Sequence, residues 1–317
     1  MRTRLWLLGI VVALVATACA GGSGVQAGQD SCFGAAALAA TDGTCPDETR
    51  TGPLTPTPSE ASRDRSNAYG YIAGNKGCIS VLPSFRLRTC TFGDRDADLE
   101  VALIGNSHAA QWLPAIELIA QQEHWRVTTY LASQCALADV RQGFTPAAAS
   151  KACLDWGRDA IDQVSQGDFD LVIMSNKISR GVRGLSLPET AVRFQQGYAD
   201  ALRPLVQAEL PVIGIRDTPS PGFDVPKCLA EHAEDYSQCD GTRADWLPSE
   251  PLFEAVAALP SNRMKVIDLT DYICDGDTCS AAVGGVPVYF DVSHLTATYA
   301  KTLAPYLSAE IKKALAG

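Results

Sequence analysis

The sequence predicts an α/β protein built on a mainly parallel five-stranded sheet. From about residue 97, short apolar segments of strand length alternate with longer segments whose apolar residues recur at helical spacing. The 317 residues are 46% hydrophobic and 20% charged, which is enough apolar material for one sizeable core. Eleven cysteines behind a short apolar N-terminus indicate an exported chain that folds in an oxidising compartment.

The net charge excludes some functions. The chain carries a formal charge of −10 at pH 7 and shows no Lys/Arg cluster. Such a chain is poorly suited to bind nucleic acid or an anionic lipid surface, because both require concentrated positive charge. We therefore expect no nucleic-acid partner.

Residues 1–18 have the pattern of a signal peptide. Arg2 and Arg4 precede the apolar residues 5–16. This apolar stretch is too short for a transmembrane helix, which needs about 20 residues. A targeting segment of this kind is excluded from the fold.

The residues that follow predict a lipid anchor. The segment 16–19, Ala-Thr-Ala-Cys, resembles the lipobox of bacterial lipoproteins, in which the cysteine is lipidated and becomes the first mature residue. Cys19 is the predicted lipidation site, and ordinary cleavage near Ala18 or Ala20 is the alternative. Residues 19–30 are rich in Gly, Ser and Gln and predict a flexible tether. Membrane contact is then expected through the N-terminal lipid only, at the outer face of the cytoplasmic membrane or in the cell envelope.

Residues 31–95 predict a loop-rich extension held by disulfides. They contain four cysteines, a Pro/Thr stretch and little periodicity. Ten cysteines besides Cys19 allow many connectivities, but their spacing favours local pairs. No C-x2-C pair is present and the four His are scattered, so we expect no metal and no cofactor. The predicted disulfides are Cys32–Cys45, Cys78–Cys90, Cys135–Cys153, Cys228–Cys239 and Cys274–Cys279.

Residues 96–317 form the predicted α/β domain. An apolar helical face begins at Trp112, and residues 274–288, rich in Gly and Asp, predict a hairpin or loop. The predicted strands are Leu99–Ile104, Val127–Ala132, Leu171–Met174, Val212–Ile215 and Val266–Leu269. Further helices are predicted over 154–166, 188–208, 250–258 and 296–315.

Two separate segments carry residues suited to nucleophilic catalysis. Ser107 follows the first predicted strand, at the edge where open α/β sheets bind ligands. Asp291 and His294 are three residues apart at a predicted helix entry, where a carboxylate can orient an imidazole. Alone, Ser107 could be a helix cap and Asp291 a capping carboxylate. Together they predict a Ser–His–Asp set.

These two segments resemble the first and last motif blocks of SGNH hydrolases. The blocks here are Gly105-Asn106-Ser107-His108-Ala109-Ala110-Gln111-Trp112 and Asp291-Val292-Ser293-His294-Leu295-Thr296. The sequence is most similar to the extracytoplasmic SGNH domain that is fused to acyltransferase-3-type membrane proteins, here standing alone as an exported lipoprotein. The resemblance spans roughly 31–317 and implies a flavodoxin-like, three-layer SGNH fold.

The resemblance implies roles for individual residues. Ser107 would be the nucleophile, His294 the general base and Asp291 its orienting carboxylate. The backbone N–H of Ser107 and the side chain of Asn176 would form the oxyanion hole, although Asn176 could equally cap a turn. The family motif has Asp where this chain has Asn106, and no glycine block is found near 132–135.

The implied function is that of a serine-dependent acyl-ester enzyme on cell-envelope carbohydrate. Water as the acceptor makes it an O-acetylesterase, and a sugar hydroxyl makes it an O-acyltransferase. Its partners would be an acylated or acyl-accepting envelope glycan and, for transfer, a separate membrane acyltransferase as acyl donor. The alternative is a non-catalytic glycan-binding or accessory lipoprotein on a degenerate SGNH scaffold. Asn106 and the missing glycine block would favour this alternative.

Overall fold

A seven-stranded sheet organises the part of the chain that the computed structural model describes, which is residues 32–40, 45, 52–70, 77–247 and 249–316. Residues Ser31–Gly317 form one compact unit. The predicted signal peptide 1–18, the tether 19–30 and the lipidation site Cys19 lie outside the described residues.

The strand order in this sheet confirms the mainly parallel α/β class. Its order is β1-β4-β3-β5-β6-β8, with β2 pairing antiparallel to β4 and all other pairs parallel. The five predicted strands correspond to β3, β4, β5, β6 and β8. The strands are β1 Ile79–Ser80, β2 Thr89–Gly93, β3 Leu99–Asn106, β4 Trp125–Ala132, β5 Leu171–Ser175, β6 Val212–Ile215, β7 Gly241–Thr242, β8 Met264–Ile267, β9 Cys274–Asp275, β10 Thr278–Cys279, β11 Ala282–Val283 and β12 Val286–Pro287.

The predicted extension contributes to this sheet. Both β1 and β2 come from residues 31–95 and pair with β4, so the sheet has seven strands where the sequence predicts five. The segment 274–288 folds into two small antiparallel pairings, β9 with β10 and β11 with β12.

Helices cover both faces of the sheet. The predicted last helix is interrupted at Leu303, which ends α10 before α11 begins. The helices are α1 Ala36–Ala39, α2 Pro58–Ala61, α3 Ser107–Ala110, α4 Leu113–Glu123, α5 Ala147–Gln166, α6 Leu187–Gln207, α7 Val225–Glu231, α8 Arg243–Trp246, α9 Pro251–Ala258, α10 Ala297–Thr302 and α11 Ala304–Ala316.

Strand β3 shows why the fold has three layers. Val101 and Leu103 belong to the core that includes α4, α10 and α11, whereas Ala102 and Ile104 belong to the core that includes α5, α6 and α9. Successive side chains of a strand point to opposite faces, so a strand covered on both faces must be apolar throughout. This requirement explains the apolar run 101–104 of β3, whose buried carboxyl end carries the candidate site.

Five disulfides join the cysteine pairs favoured by the spacing: Cys32–Cys45, Cys78–Cys90, Cys135–Cys153, Cys228–Cys239 and Cys274–Cys279. Disulfides in this number indicate a protein that matures in an oxidising compartment. Within the described ranges, no helix has the length and apolar character needed to cross a membrane.

Candidate active site

Ser107 lies where β3 ends and α3 begins. The turn requires glycine at position 105, which has φ +148°, because a Cβ there would lie 2.1 Å from the carbonyl oxygen of Ser175. Asn106 rather than Ser107 caps α3, since its Oδ1 accepts the N–H of His108 at 3.0 Å. Ser107 is only 7% exposed, and its hydroxyl is left available for another partner.

That partner is His294, which precedes α10 together with Asp291. The distance from His294 Nε2 to Ser107 Oγ is 2.9 Å. On the other side of the ring, Nδ1 lies 2.8 Å from Asp291 Oδ2 and 3.1 Å from Oδ1. The carboxylate accepts the Nδ1 proton, so Nε2 is left to accept the proton of the serine hydroxyl. The structure thus brings together the three residues from the two separate motif blocks.

The environment of Asp291 keeps it ionised. Burial by itself would raise the pKa of this carboxyl group, but hydrogen bonds and charge attraction from His294, with backbone N–H groups, lower it to about 2. Both backbone bonds go to Oδ1, from Ser293 and from His294, at 2.9 Å each. At neutral pH the imidazole therefore faces a fixed negative charge.

Two aromatic residues hold the imidazole. The Phe290 ring lies parallel to the His294 ring, with centroids 5.3 Å apart and an interplanar angle of 9°. Tyr69, from the predicted extension, meets His294 edge-on at 6.3 Å and donates its hydroxyl to the Ser107 carbonyl oxygen at 3.3 Å. Burial raises the pKa of Tyr69, so the phenol remains a donor. The extension therefore contributes to the site as well as to the sheet.

A cavity of about 300 Å³ opens beside the imidazole. Asp291, His294 and Phe290 form one side of it, and residues of the predicted extension form much of the rest. The residues that line it are Arg65, Tyr69, Gly77, Ile79, Val81, Arg88, Ser133, Phe290, Asp291 and His294. Of the three residues, Asp291 and His294 line the cavity, and His294 contacts Ser107 Oγ at 2.9 Å.

A family model matches residues 75–309, a span that includes both motif blocks. The matched family is the SGNH domain that is fused to AT3 domains. The chain belongs to this family. Membership places it among acyl-ester enzymes and confirms the resemblance found in the sequence. A comparison with curated proteins finds no match.

Two solved structures are similar to this SGNH domain. One is the periplasmic domain of a lipopolysaccharide acetyltransferase from Salmonella ser. Paratyphi A, with 14% identity over 69% of this chain and 85% of that chain and a TM-score of 0.53. The other, described as a candidate acylhydrolase from Bacteroides fragilis NCTC 9343, has 13% identity over 71% of this chain and 91% of that chain, with a TM-score of 0.41. The first likeness supports the fold of the SGNH domain.

The structure explains why Asn106 can stand where the family motif has Asp. Its Oδ1 accepts the N–H groups of His108 and Lys177, at 3.0 and 3.3 Å. Its Nδ2 donates to the carbonyl oxygen of Lys177 at 2.7 Å. An ionised aspartate could keep the two accepted bonds but could not donate the third. Asparagine thus satisfies every neighbour of this fully buried side chain in the SGNH domain.

The proposed oxyanion-hole residue Asn176 lies one residue beyond β5, next to Gly105. Its Oδ1 accepts the N–H of Leu137 at 3.1 Å. Its buried Nδ2 has no hydrogen-bond partner among the described residues, so this donor is not used by that part of the protein. In the segment where a glycine block was expected, Gln134 has φ +61°, the backbone conformation that glycine favours.

Sequence reasoning missed a second His–Asp pair behind the first. His108 Nδ1 lies 2.5 Å from Asp217 Oδ1, and both side chains are buried. The His108 ring packs against that of His294 with centroids 4.5 Å apart, and its Nε2 lies 3.4 Å from Ser293 Oγ. Burial lowers the pKa of His108 to about 4 despite Asp217, so this ring is neutral at pH 7. The sequence position of Asp217 could have indicated this pair. Asp217 lies two residues beyond the carboxyl end of β6, and the carboxyl ends of parallel strands lie at the same edge of the sheet as Ser107.

Proposed function

We propose that the protein is an exported, serine-dependent acyl-ester enzyme that acts on cell-envelope carbohydrate. Ser107 would be the nucleophile, His294 the general base and Asp291 the carboxylate that orients it. The observation that carries the proposal is the continuous hydrogen-bonded series from Ser107 Oγ through His294 to Asp291, with contacts of 2.9 and 2.8 Å.

In the first half-reaction, Ser107 Oγ attacks the acyl carbonyl carbon while His294 Nε2 takes the hydroxyl proton. The carbonyl oxygen becomes an oxyanion, for which the Ser107 N–H and the unpaired Asn176 Nδ2 are the candidate donors. As the tetrahedral intermediate collapses, the ester C–O bond breaks and His294 returns the proton to the leaving alcohol. The product is an acyl-enzyme and a free hydroxyl.

In the second half-reaction, His294 removes a proton from the acceptor, whose oxygen attacks the acyl carbonyl carbon. The bond from Ser107 Oγ to the acyl carbon then breaks, and His294 returns the proton to Ser107 Oγ. Water as the acceptor gives O-acetylesterase activity, and a sugar hydroxyl gives O-acyltransferase activity. For transfer, a separate membrane acyltransferase would supply the acyl group. Lipidation at Cys19 would hold the enzyme at the outer face of the cytoplasmic membrane or in the envelope, within reach of both partners.

A decisive test compares the wild type with Ser107→Ala. We expect the wild type to hydrolyse 4-nitrophenyl acetate and to be labelled by a fluorophosphonate, and Ser107→Ala to lose both. Ser165→Ala, on the exposed side of α5, is a matched control that should keep both properties. A wild type that is neither labelled nor faster than Ser107→Ala would refute catalysis and leave glycan binding on an inactive scaffold.

Transfer and hydrolysis are separated with envelope glycan. Deacetylated glycan and an acetyl donor are incubated with the enzyme, and acetylated glycan is incubated with enzyme alone. Mass spectrometry then measures acetyl gain or loss on the glycan. Loss of acetyl without any transfer product would reject the transferase and leave the esterase.

A further inference from the structure

We propose that the cavity beside His294 binds an oxyanion, a carboxylate or a phosphate, carried by the same molecule as the scissile ester. The inference rests on the proposed function for the ester and adds the charge class of the substrate. It is drawn from the charges and the packing of the residues that line the cavity.

Two arginines line this cavity in a chain whose net charge is −10, and because Arg88 already has a partner in the protein, Arg65 is the one available to a ligand. Among the described residues that line it, Asp291 is the one carboxylate. It is already engaged by His294 and by two backbone N–H groups. The Arg65 guanidinium therefore brings a positive charge to the cavity wall, against the overall sign of the protein.

Arg65 pairs with no carboxylate of the part of the chain that the structure describes. Among the residues that the structure describes, its guanidinium donates to the Ser62 carbonyl oxygen at 3.1 Å and lies over the Phe290 ring, 5.1 Å from the centroid. Five other arginines of this acidic chain pair with carboxylates: Arg126, Arg158, Arg203, Arg216 and Arg243. Arg65 thus keeps N–H donors for a ligand, in contrast to these five. A guanidinium binds carboxylate and phosphate in the same two-pronged geometry.

The rest of the cavity suits a sugar that carries such an anion. Ile79, Val81 and Phe290 supply apolar surface, and Ser133 supplies a hydroxyl. The volume of about 300 Å³ lies at the small end of ligand pockets. One acidic sugar unit would place its anion at Arg65 and a neighbouring ester toward Ser107, since His294 lines the cavity and contacts Ser107 Oγ.

A competing role for Arg65 is to hold Phe290, which packs flat on the base. In that case Arg65 would affect neutral and anionic substrates equally. Charge-selective binding is the property that separates the two roles. Binding must be measured in a protein that cannot turn the ligand over, so the assay uses full-length Ser107→Ala.

The probes are three glycosides that differ at one position. They are methyl tri-O-acetyl-glucuronoside, methyl tri-O-acetyl-glucoside and methyl tri-O-acetyl-glucoside 6-phosphate. Dissociation constants are measured by NMR titration at low and at high ionic strength. We expect an anionic glycoside to bind about ten-fold more tightly than the neutral one at low salt, and this preference to shrink as salt screens the charges. Preference for the glucuronoside identifies a carboxylated sugar, and preference for the 6-phosphate identifies a phosphorylated one.

The same titration is repeated with arginine variants in the Ser107→Ala background. Arg65→Gln should lose most of the preference, Arg65→Lys should recover part of it, and Arg203→Gln, a matched surface control, should keep it. Equal affinity for all three glycosides overturns the inference, as does an Arg65→Gln variant that weakens all three equally. Because binding is measured without turnover, these outcomes are independent of the 4-nitrophenyl acetate test on which the proposed function depends.

Discussion

Replacing Asp291 by Asn tests the proposed mechanism most sharply, because the surrounding hydrogen bonds dictate how the amide must sit. Oδ1 of the native side chain accepts the N–H groups of Ser293 and His294, at 2.9 Å each. In the variant only the amide oxygen can accept these bonds, so the amide NH2 faces His294 Nδ1. A donor at that position forces the imidazole proton onto Nε2, which then points an N–H at Ser107 instead of a lone pair.

The expected magnitude follows from this change of tautomer and from the lost charge. An aspartate-to-asparagine change in a Ser–His–Asp triad costs about 10⁴-fold in kcat, or about 5 kcal/mol of activation free energy. Stability should change far less. The Asp291 pKa falls from 3.8 to about 2, but the side chain is 37% exposed, so solvent screening leaves about 1 kcal/mol. A lowered carboxyl pKa stabilises the fold above the unfolded pKa, and this contribution is lost as pH falls toward 2.

The assay is steady-state turnover of 4-nitrophenyl acetate, with urea denaturation as the measure of stability. Asp94→Asn is the matched control, because Asp94 also contacts a histidine Nδ1, that of His124, at 3.0 Å but on the surface. The control should keep its rate. An Asp291→Asn enzyme within about ten-fold of the wild-type kcat, with unchanged folding, would refute the orienting role given to Asp291.

Three further predictions concern other parts of the chain. Asn106→Asp should lower the free energy of unfolding by about 1–3 kcal/mol at pH 7, because the new carboxylate would face the Lys177 carbonyl oxygen to which Asn106 now donates. Urea denaturation measures this change, and an unchanged free energy of unfolding would contradict it. His108 faces Asp217, His294 and Lys177, and its pKa of about 4 lies below the pKa of about 6.5 of an unfolded histidine. Between these two pH values the unfolded state binds more protons than the folded state. The free energy of unfolding should therefore fall by about 3 kcal/mol as the pH drops from 6.5 to 4. His108→Asn should flatten that part of the denaturation profile, and an unchanged profile would show that His108 does not cause it. Cys19→Ser should move the protein from the membrane fraction to the soluble fraction, and equal fractionation of both forms would rule out the lipid anchor.

The alternation of apolar and amphipathic segments was sufficient to predict the central strands. Strands β5 and β6 are buried along their whole length, so burial left continuous apolar runs that could be read directly, whereas β4 and β8 carry polar residues at partly exposed positions. The strands β1 and β2 were missed because they are short, and the exposed residues of β2 break any apolar pattern. Their pairing depends on β4, which is remote in sequence.

The candidate site was predictable where its chemistry resides in local motifs. Ser107, Asp291 and His294 occur in recognisable blocks, and the structure brings them within hydrogen-bond distance. The surrounding shell was not predictable in the same way. Tyr69 and Asp217 reach the site from segments without a motif, and only the tertiary fold places them there.

The order of the disulfides has a consequence for biogenesis. Every bridge joins a cysteine to the next one along the chain, with separations of 13, 12, 18, 11 and 5 residues. For a chain that crosses a membrane N-terminus first and whose Cys19 is lipidated, an oxidant that joins the other thiols in order of emergence produces the native set. Maturation then requires an oxidase but no isomerase to correct mispaired bridges. We therefore expect that the protein can be produced in hosts that lack a disulfide isomerase.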